Sequence, residues 1–286
     1  DLVELSPMQK LAGQFVATFM VVFMSDIRIS SFYGFLGIYE IPIAISYILT
    51  FVAIIGLTNS FNLIDGLDGL AGTISLLTFG FLGWWFMAVG MESYGAFSVI
   101  LVGAVLAFLV FNWHPAKIFM GDTGSLSLGF VLSVLTVLFI DTNGTLYANH
   151  PWKFNAPIAS GIALMIVPVY DTTRIFARRI RRGRSPFAPD KNHVHHFLMR
   201  MGLTHDKVAI TLGVIKLFFI GLIFIGASYS DYLMLPLIIF TAVVFGARLD
   251  ALTLKRVKTI AKNSPPVLKG KFKKAQHKST IHHSVA

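Results

Sequence analysis

The stretch IPIAISYILTFVAIIGLTNSFNLIDGLDG, residues 41–69, decides the fold. Its first part, 41–61, is apolar and uncharged, and it is about as long as a helix that crosses the ~30 Å hydrocarbon layer of a bilayer. Its last part places two amides and two carboxylates at the end of that run. Because such groups are costly beside hydrocarbon, their position at the end of an apolar run indicates a site at the membrane surface.

The rest of the chain repeats this pattern of long apolar runs. Of its 286 residues, 55% are hydrophobic and 13% are charged, with a mean hydropathy of +0.71. This balance excludes an ordinary soluble globular domain. We therefore predict an all-α fold, a polytopic transmembrane helical bundle. It has eight spans, at 10–26, 41–61, 70–91, 94–113, 124–140, 155–173, 208–229 and 232–248.

The distribution of basic residues predicts the orientation of the bundle. Lys and Arg are enriched in cytoplasmic loops. If residue 1 is cytoplasmic, the outer loops hold only Arg28 and Lys153, whereas 174–207 and the tail hold most of the remainder. This orientation places three polar clusters, at 59–69, 119–125 and 193–196, on the cytoplasmic face. Lys216 interrupts the seventh span, and we expect it either to snorkel or to face the bundle.

We divide the chain into a transmembrane catalytic domain, 1–249, and a basic cytoplasmic tail, 250–286. The first contains a cytoplasmic loop, 178–207. The tail is expected to meet anionic lipid headgroups, and no nucleic-acid partner is expected, because aromatic residues are not interleaved with its lysines. The chain has no Cys, which excludes disulfides and thiolate metal sites.

The first polar cluster follows the second span. Asn59, Asn62, Asp65 and Asp68 recur every third residue, and the glycines after the two aspartates predict a break in the helix. A frayed helix would aim these side chains into one aqueous pocket, suited to a nucleotide or a hydrated divalent cation. The alternative is a helix end with solvated acids.

The second cluster precedes the fifth span. Thr123 and Ser125 are predicted to cap that helix, which would favour an anionic ligand. Asp122 beside a phosphate site suggests bound Mg²⁺, with Mn²⁺ as an alternative. Just upstream, Asn112 offers a donor and an acceptor to a base edge, and Phe119 offers a ring for stacking on a nucleobase. A capped turn with interfacial anchors is the structural alternative.

The third cluster is the arginine-rich loop that ends in His193-Val-His195-His196. Arginines such as Arg179 supply forked donors for diphosphate oxygens, and histidines donate to phosphate or sugar oxygens. The positive-inside rule alone also explains the arginines. Three histidines within four residues lack the i, i+4 spacing of a zinc-binding helix, so we do not predict zinc here.

At these residues the chain resembles the polyprenyl-phosphate N-acetylhexosamine-1-phosphate transferases, glycosyltransferase family 4. The likeness covers nearly the whole chain, with motifs at 59–72, 112–125 and 185–196. The family also carries an adjacent pair of aspartates before a membrane helix, and Asp1 looks like the second of them. We therefore expect upstream sequence with further spans.

The resemblance implies a Mg²⁺-dependent phosphoglycosyltransferase in the bacterial cytoplasmic membrane, with its active site facing the cytoplasm. Its substrates would be a UDP-N-acetylhexosamine and a polyprenyl phosphate such as undecaprenyl phosphate, and UMP would leave. The product would begin a lipid-linked cell-envelope glycan, such as a lipopolysaccharide or teichoic acid. The assembly is left open, with a homodimer as one form.

The resemblance also assigns roles to individual residues. Catalytic roles fall to Asp1, Asp65, Asp68, Asp122 and His193, with Asp122 as the metal ligand. Substrate binding falls to Asn59, Asn62, Asn112, Phe119, Arg179, His195 and His196.

Several alternatives stay open. Val194 interrupts the histidines, which favours UDP-N-acetylglucosamine over the UDP-muramyl pentapeptide of the peptidoglycan branch. A CDP-alcohol phosphotransferase would need a second Gly-x-x-x-Asp-x-x-x-Asp half, which is missing after Asp68. A secondary transporter would place its ionisable groups near the bilayer midplane, whereas the acids here gather at span ends.

Overall fold

A computed structural model describes residues 6–183, 185 and 193–263. Within these ranges the chain is helical and contains no strand, so the predicted all-α fold is confirmed. The α-helices are α1 (Pro7–Phe19), α2 (Ile43–Asn62), α3 (Leu70–Ala88), α4 (Glu92–Asn112), α5 (Gly121–Thr145), α6 (Pro157–Leu164), α7 (Ile166–Arg181), α8 (Val194–Arg200), α9 (His205–Ile225) and α10 (Asp231–Asn263).

The prediction of a multi-pass membrane protein is confirmed. In the described part of the chain, six helices are long and apolar enough to cross a bilayer, namely α2, α3, α4, α5, α9 and α10. Helices α6 and α7 form a seventh span if they count as one, although they bend by 82° at Met165. The remaining predicted span, 10–26, consists of the 13-residue α1 and a five-residue π-helical turn, Met20–Met24. It is not among the helices that are long and apolar enough, so the described residues form six spans, or seven with the bent pair, where the sequence predicted eight.

Helix α3 lies at the centre of the bundle. Of its apolar window, 67% is buried, compared with 22% for α4. Its largest buried side chains, Phe79, Trp85 and Phe86, are fully enclosed. An aromatic layer of Phe81, Phe139 and Phe154 extends this core towards α5. A central helix that is mostly buried gives the neighbouring span ends a fixed position.

Lys216 faces the interior of the bundle, which decides between the two positions expected from the sequence. Its side chain is fully buried in α9, and its Nζ has no hydrogen-bond partner among the residues that the structure describes. It does not snorkel to the surface.

Helix α10 continues beyond the predicted end of the last span. It runs without a break from Asp231 to Asn263, past the boundary predicted at 249. At about 1.5 Å per residue, its last two turns and more lie outside a ~30 Å hydrocarbon layer. The first part of the predicted tail is therefore helical, and the residues after 263 lie outside the described part.

Candidate active site

The first cluster lies where α2 ends and α3 begins. Helix α2 ends at Asn62, and α3 starts after Gly69, which has a left-handed φ of 75°. The predicted break therefore exists, and it carries Asp65 and Asp68 in the connecting turn. Asn59 stays on α2, where its Nδ2 donates to Gln14 Oε1 at 2.7 Å and to the Ile55 carbonyl. This bond links α2 to α1.

The connection from α4 to α5 packs against that turn. Asn112 is buried at the end of α4 and accepts a hydrogen bond from the Gly69 N–H at 2.9 Å. Its Nδ2 donates to the Ile118 carbonyl at 2.8 Å. The Asn112 amide therefore holds the α2–α3 connection against the α4–α5 connection. Its predicted contact with a nucleobase stays a prediction. Phe119 is 78% exposed, so its ring is free of the core.

Helix α5 begins earlier than the sequence indicated. It starts at Gly121, so Thr123 and Ser125 lie inside the helix and the cap role predicted for them is wrong. Ser125 instead donates from its Oγ to Asn62 Oδ1 at 2.7 Å and to the Gly121 carbonyl. This contact joins the first turn of α5 to the last turn of α2.

The acids Asp65 and Asp122 lie in one electrostatic environment. Burial raises the pKa of Asp65 to about 6, and the negative charge of Asp122 adds to that shift. Asp122 itself forms an ion pair with the Lys10 amine of α1, and its side chain is 44% exposed. Like charges held together favour a bound cation, because a cation relieves both the repulsion and the cost of ionising Asp65.

Asp68 lies in a different environment, between two imidazoles. Its Oδ2 is 2.9 Å from His114 Nδ1 and 3.1 Å from His205 Nδ1, and the Ala116 N–H approaches it at 3.4 Å. Burial works against ionisation, yet the hydrogen bond with His114, the Ala116 N–H and the charge of His205 together lower the pKa of Asp68. Between about pH 4 and pH 6, Asp68 is therefore ionised while Asp65 keeps its proton.

The histidine cluster is anchored by an acid that the sequence analysis did not select. Asp171 of α7 is buried, and its two oxygens lie 2.8 Å from His193 Nδ1 and 2.8 Å from the Val194 N–H. The carboxylate thus holds His193 and satisfies the first free backbone N–H of α8 at once. Arg174 NH1 lies 3.8 Å from the same carboxylate.

The other two histidines follow on α8. His195 is buried, and a Cβ built at Gly66 would lie 3.0 Å from its Nε2, so this ring packs directly on the turn between α2 and α3. Burial lowers the pKa of His195 to about 4, and the neighbouring His196 adds to the shift. His195 is therefore a neutral ring near pH 7. The centroids of these two rings are 4.3 Å apart.

Arginines surround α8 on its other side. Arg174 of α7 forms an ion pair with Asp250 of α10, and Arg178 lies 3.1 Å from the same carboxylate. Both guanidiniums also lie over the ring of Phe197, at 4.6 and 5.3 Å from its centroid. Arg179, the arginine predicted to bind substrate, is 8% exposed, so its guanidinium is largely enclosed.

The three clusters therefore meet at one end of the bundle. Asn62 contacts Ser125, Gly69 contacts Asn112, and the ring of His195 lies against Gly66. Of the predicted site residues, Asp1 lies outside the described part of the chain.

Comparison with known proteins assigns the chain to a family. Residues 1–140 match the model of glycosyl transferase family 4. The chain is 40% identical over 179 residues to a Bacillus subtilis protein named probable undecaprenyl-phosphate N-acetylglucosaminyl 1-phosphate transferase, covering 63% of this chain and 46% of that protein. It is 31% identical over 242 residues to the undecaprenyl-phosphate alpha-N-acetylglucosaminyl 1-phosphate transferase of Escherichia coli K12, covering 81% and 62%. The chain belongs to glycosyl transferase family 4.

A third relative comes from a different group of bacteria. The decaprenyl-phosphate N-acetylglucosaminephosphotransferase of Mycobacterium tuberculosis H37Rv is 33% identical over 248 residues, covering 80% of this chain and 58% of that protein. The chain thus spans about half the length of the curated relatives that it matches. All three family members carry names of N-acetylglucosamine-phosphate transferases that use a polyprenyl phosphate.

For this glycosyl transferase family 4 chain, the structure adds four contact residues that the sequence analysis did not select. They are Lys10 on Asp122, His205 and His114 at Asp68, and Asp171 at His193. Only Asp171 could have been found from the sequence. It is an acid inside a predicted apolar span, 155–173, and an acid in such a position usually has a partner. The other contacts join residues far apart in the chain.

Proposed function

We propose that this chain is the catalytic part of a transferase that moves N-acetylglucosamine 1-phosphate from UDP-N-acetylglucosamine to a polyprenyl phosphate and releases UMP. The observation that carries the proposal is the meeting of the amide, carboxylate and imidazole clusters at one end of the bundle. The names of the relatives support the lipid phosphate and the N-acetylglucosamine phosphate. The one-sided position of the acids favours this enzyme over a transporter.

The donor, UDP-N-acetylglucosamine, binds through its uracil base at one end and through its sugar diphosphate at the other. The exposed ring of Phe119 stacks on uracil, and the sugar diphosphate binds beside His193 and Arg179. His193 is held in one orientation by Asp171, which fixes the ring nitrogen that faces the substrate. Arg179 supplies positive charge from an enclosed position, where it is worth more than in bulk water.

The residues present fit Mg²⁺. Asp65 and Asp122 offer carboxylate oxygens, which are the ligands Mg²⁺ prefers, and Asp122 is exposed enough to leave room for water and phosphate. The ion pair of Asp122 with the Lys10 amine supports a cation at this carboxylate. Asp122 would hold the ion, with Asp65 beside it. Bound there, Mg²⁺ would neutralise charge on the diphosphate and stabilise UMP as the leaving group.

In the transfer, an oxygen of the polyprenyl phosphate forms a bond to the β-phosphorus of the UDP-sugar, and the bond from that phosphorus to the UMP oxygen breaks. The protein contributes by holding two anions together and by positioning them, which are the main terms in phosphoryl transfer. A direct attack and a path through a phospho-aspartate make the same demand on Asp65, an ionised carboxylate near the diphosphate.

The enzyme's setting is proposed as the cytoplasmic membrane of a bacterium, with the site facing the cytoplasm. Lys10, Arg174, Arg178 and Arg200 all lie at the end of the bundle that carries the clusters. The opposite end carries Arg28 and Lys153. Basic residues favour the cytoplasmic side of a membrane, so the end of the bundle that carries the site faces the cytoplasm.

The test uses the complete protein that contains this chain, in detergent, with radiolabelled UDP-N-acetylglucosamine, polyprenyl phosphate and Mg²⁺. Label should pass into the lipid extract, and Asp122→Asn should lower that transfer by at least about 100-fold, as expected for loss of a metal ligand at the reacting diphosphate. The matched control is Glu92→Gln, an exposed carboxylate at the opposite end, which should keep full activity. Full activity in Asp122→Asn would refute the metal role, and absence of label from the lipid would refute the function.

A further inference from the structure

Three side chains from distant parts of the sequence converge on one oxygen atom. Asp68 lies in the turn after α2, His114 follows α4, and His205 is the first residue of α9. Both Nδ1 atoms lie close to Asp68 Oδ2, at 2.9 and 3.1 Å. One ligand atom from each of the three residues lies within 4.8 Å of the others. A histidine pair and a carboxylate in this arrangement form a donor set for a metal ion.

One of these atoms lacks the partner that its burial requires. His205 Nδ1 is buried and, among the described residues, has no hydrogen-bond partner, although it lies 3.1 Å from Asp68 Oδ2. Buried polar atoms without a partner are rare in folded proteins and call for an explanation, one of which is an ion. A metal ion between the three residues would use the lone pair of this nitrogen.

The spacing suits a first-row transition metal. Zinc binds histidine nitrogen and carboxylate oxygen at about 2.0–2.2 Å, so neighbouring ligand atoms in a tetrahedral site lie about 3.3 Å apart. The two observed separations, 2.9 and 3.1 Å, are within a few tenths of an ångström of that value. The side chains are 14% to 37% exposed, which leaves a path for the ion and a position for a water ligand.

We propose that Asp68, His114 and His205 form a binding site for one zinc-like divalent transition metal ion. Two imidazole donors select zinc over magnesium, which prefers oxygen ligands alone. The site is thus chemically different from the carboxylate pair Asp65 and Asp122. The ion would tie together the turn after α2, the connection after α4 and the start of α9. This inference rests on the geometry and not on the proposed transferase function.

The test measures metal binding by the purified chain in detergent, without a histidine tag. After removal of metals with a chelator, Zn²⁺ alone is titrated by calorimetry, and bound zinc is measured by elemental analysis. We expect one Zn²⁺ bound per chain at this site. Co²⁺ in its place should give the visible absorption of a tetrahedral nitrogen and oxygen site.

Single substitutions locate the site. Asp68→Asn, His114→Gln and His205→Gln should each weaken zinc binding by more than about tenfold, since even indirect neighbours of a ligand change affinity by that factor. Three separate variants protect the test against one that fails to fold, and their elution on size exclusion checks this. Zinc affinity equal to the unmodified chain in all three would overturn the proposal.

Two controls separate this site from other histidines. His196→Gln should keep the zinc affinity, and so should a variant with glutamine at 277, 282 and 283, the histidines of the tail. Loss of the binding event in either control, with the three variants unaffected, would assign the zinc elsewhere and refute the site.

Discussion

The buried carboxylate of Asp171 should control the rate of transfer through His193. In Asp171→Asn the shape of the side chain stays the same, but the negative charge is lost. The asparagine oxygen can still accept the Val194 N–H, which keeps the start of α8 in place. The contact with His193 Nδ1 at 2.8 Å loses its charge, so the amide holds the ring in its orientation less firmly.

The size of the effect follows from that single lost interaction. A hydrogen bond to a charged group contributes about 1.5–3 kcal/mol. Since each 1.36 kcal/mol changes a rate by tenfold, full expression of this loss in the transition state lowers kcat by about 10- to 150-fold. Folding stability should fall by a similar free energy, because Asp171 is 2% exposed and water cannot replace the interaction.

The assay compares kcat, KM and thermal unfolding of the complete protein with those of a matched variant, Asp141→Asn. Asp141 accepts hydrogen bonds from Ser30 and Tyr33 at the opposite end of the bundle, so its loss should lower stability and leave kcat of the folded protein unchanged. In Asp171→Asn both quantities should fall. If Asp171→Asn loses stability and keeps its kcat and its pH profile, the carboxylate only supports the fold and our reasoning is wrong.

Three further predictions follow from single contacts. Because burial raises the pKa of Asp65 from 3.8 to about 6, the folded protein holds a proton that the unfolded chain releases, so stability should fall as pH rises from about 4 to about 6. Thermal unfolding with chelator present should show this slope, with an upper bound of about 3 kcal/mol, and Asp65→Asn should remove it. Gly66→Ala should push His195 by a few tenths of an ångström and lower kcat by up to about tenfold, whereas Gly80→Ala, whose added Cβ meets nothing within 4 Å, should have no effect. Lys216→Met should raise stability by about 1–3 kcal/mol, since it removes a buried amine without a partner among the described residues; a lower unfolding temperature would contradict this.

The sequence predicted the parts of the site that follow from local rules. The glycines after Asp65 and Asp68 predicted the helix break, and Gly69 shows why, since its positive φ is open to glycine at low cost. The long apolar runs predicted the multi-pass bundle, because span length is set by the bilayer. The predicted first span, 10–26, deviates because its helix, α1 with the π-helical turn that continues it, runs only from Pro7 to Met24.

The long-range contacts could not be predicted in the same way. Asp68 and His205 are separated in the sequence by six helices, α3 to α8, and no periodicity links them. The role of Asn112 changed for a similar reason, since its amide bonds to two backbone groups that only the packed structure brings near. Hydrogen-bonding capacity can be listed from the sequence, but the partner depends on which helix ends meet.

The two aspartates of the first cluster show how the structure divides roles that the motif leaves equal. They are three residues apart in one turn, yet burial beside Asp122 raises the pKa of Asp65, whereas hydrogen bonding beside His114 lowers the pKa of Asp68. Pairs of acids with diverging pKa values usually serve different functions. Asp65 changes charge near neutral pH and lies beside the proposed magnesium ligand, so it suits the diphosphate. Asp68 keeps its charge and lies among nitrogen donors, so it suits a metal of the zinc type. In our two proposals the same residue type in the same turn therefore serves two chemistries, because its neighbours come from different helices.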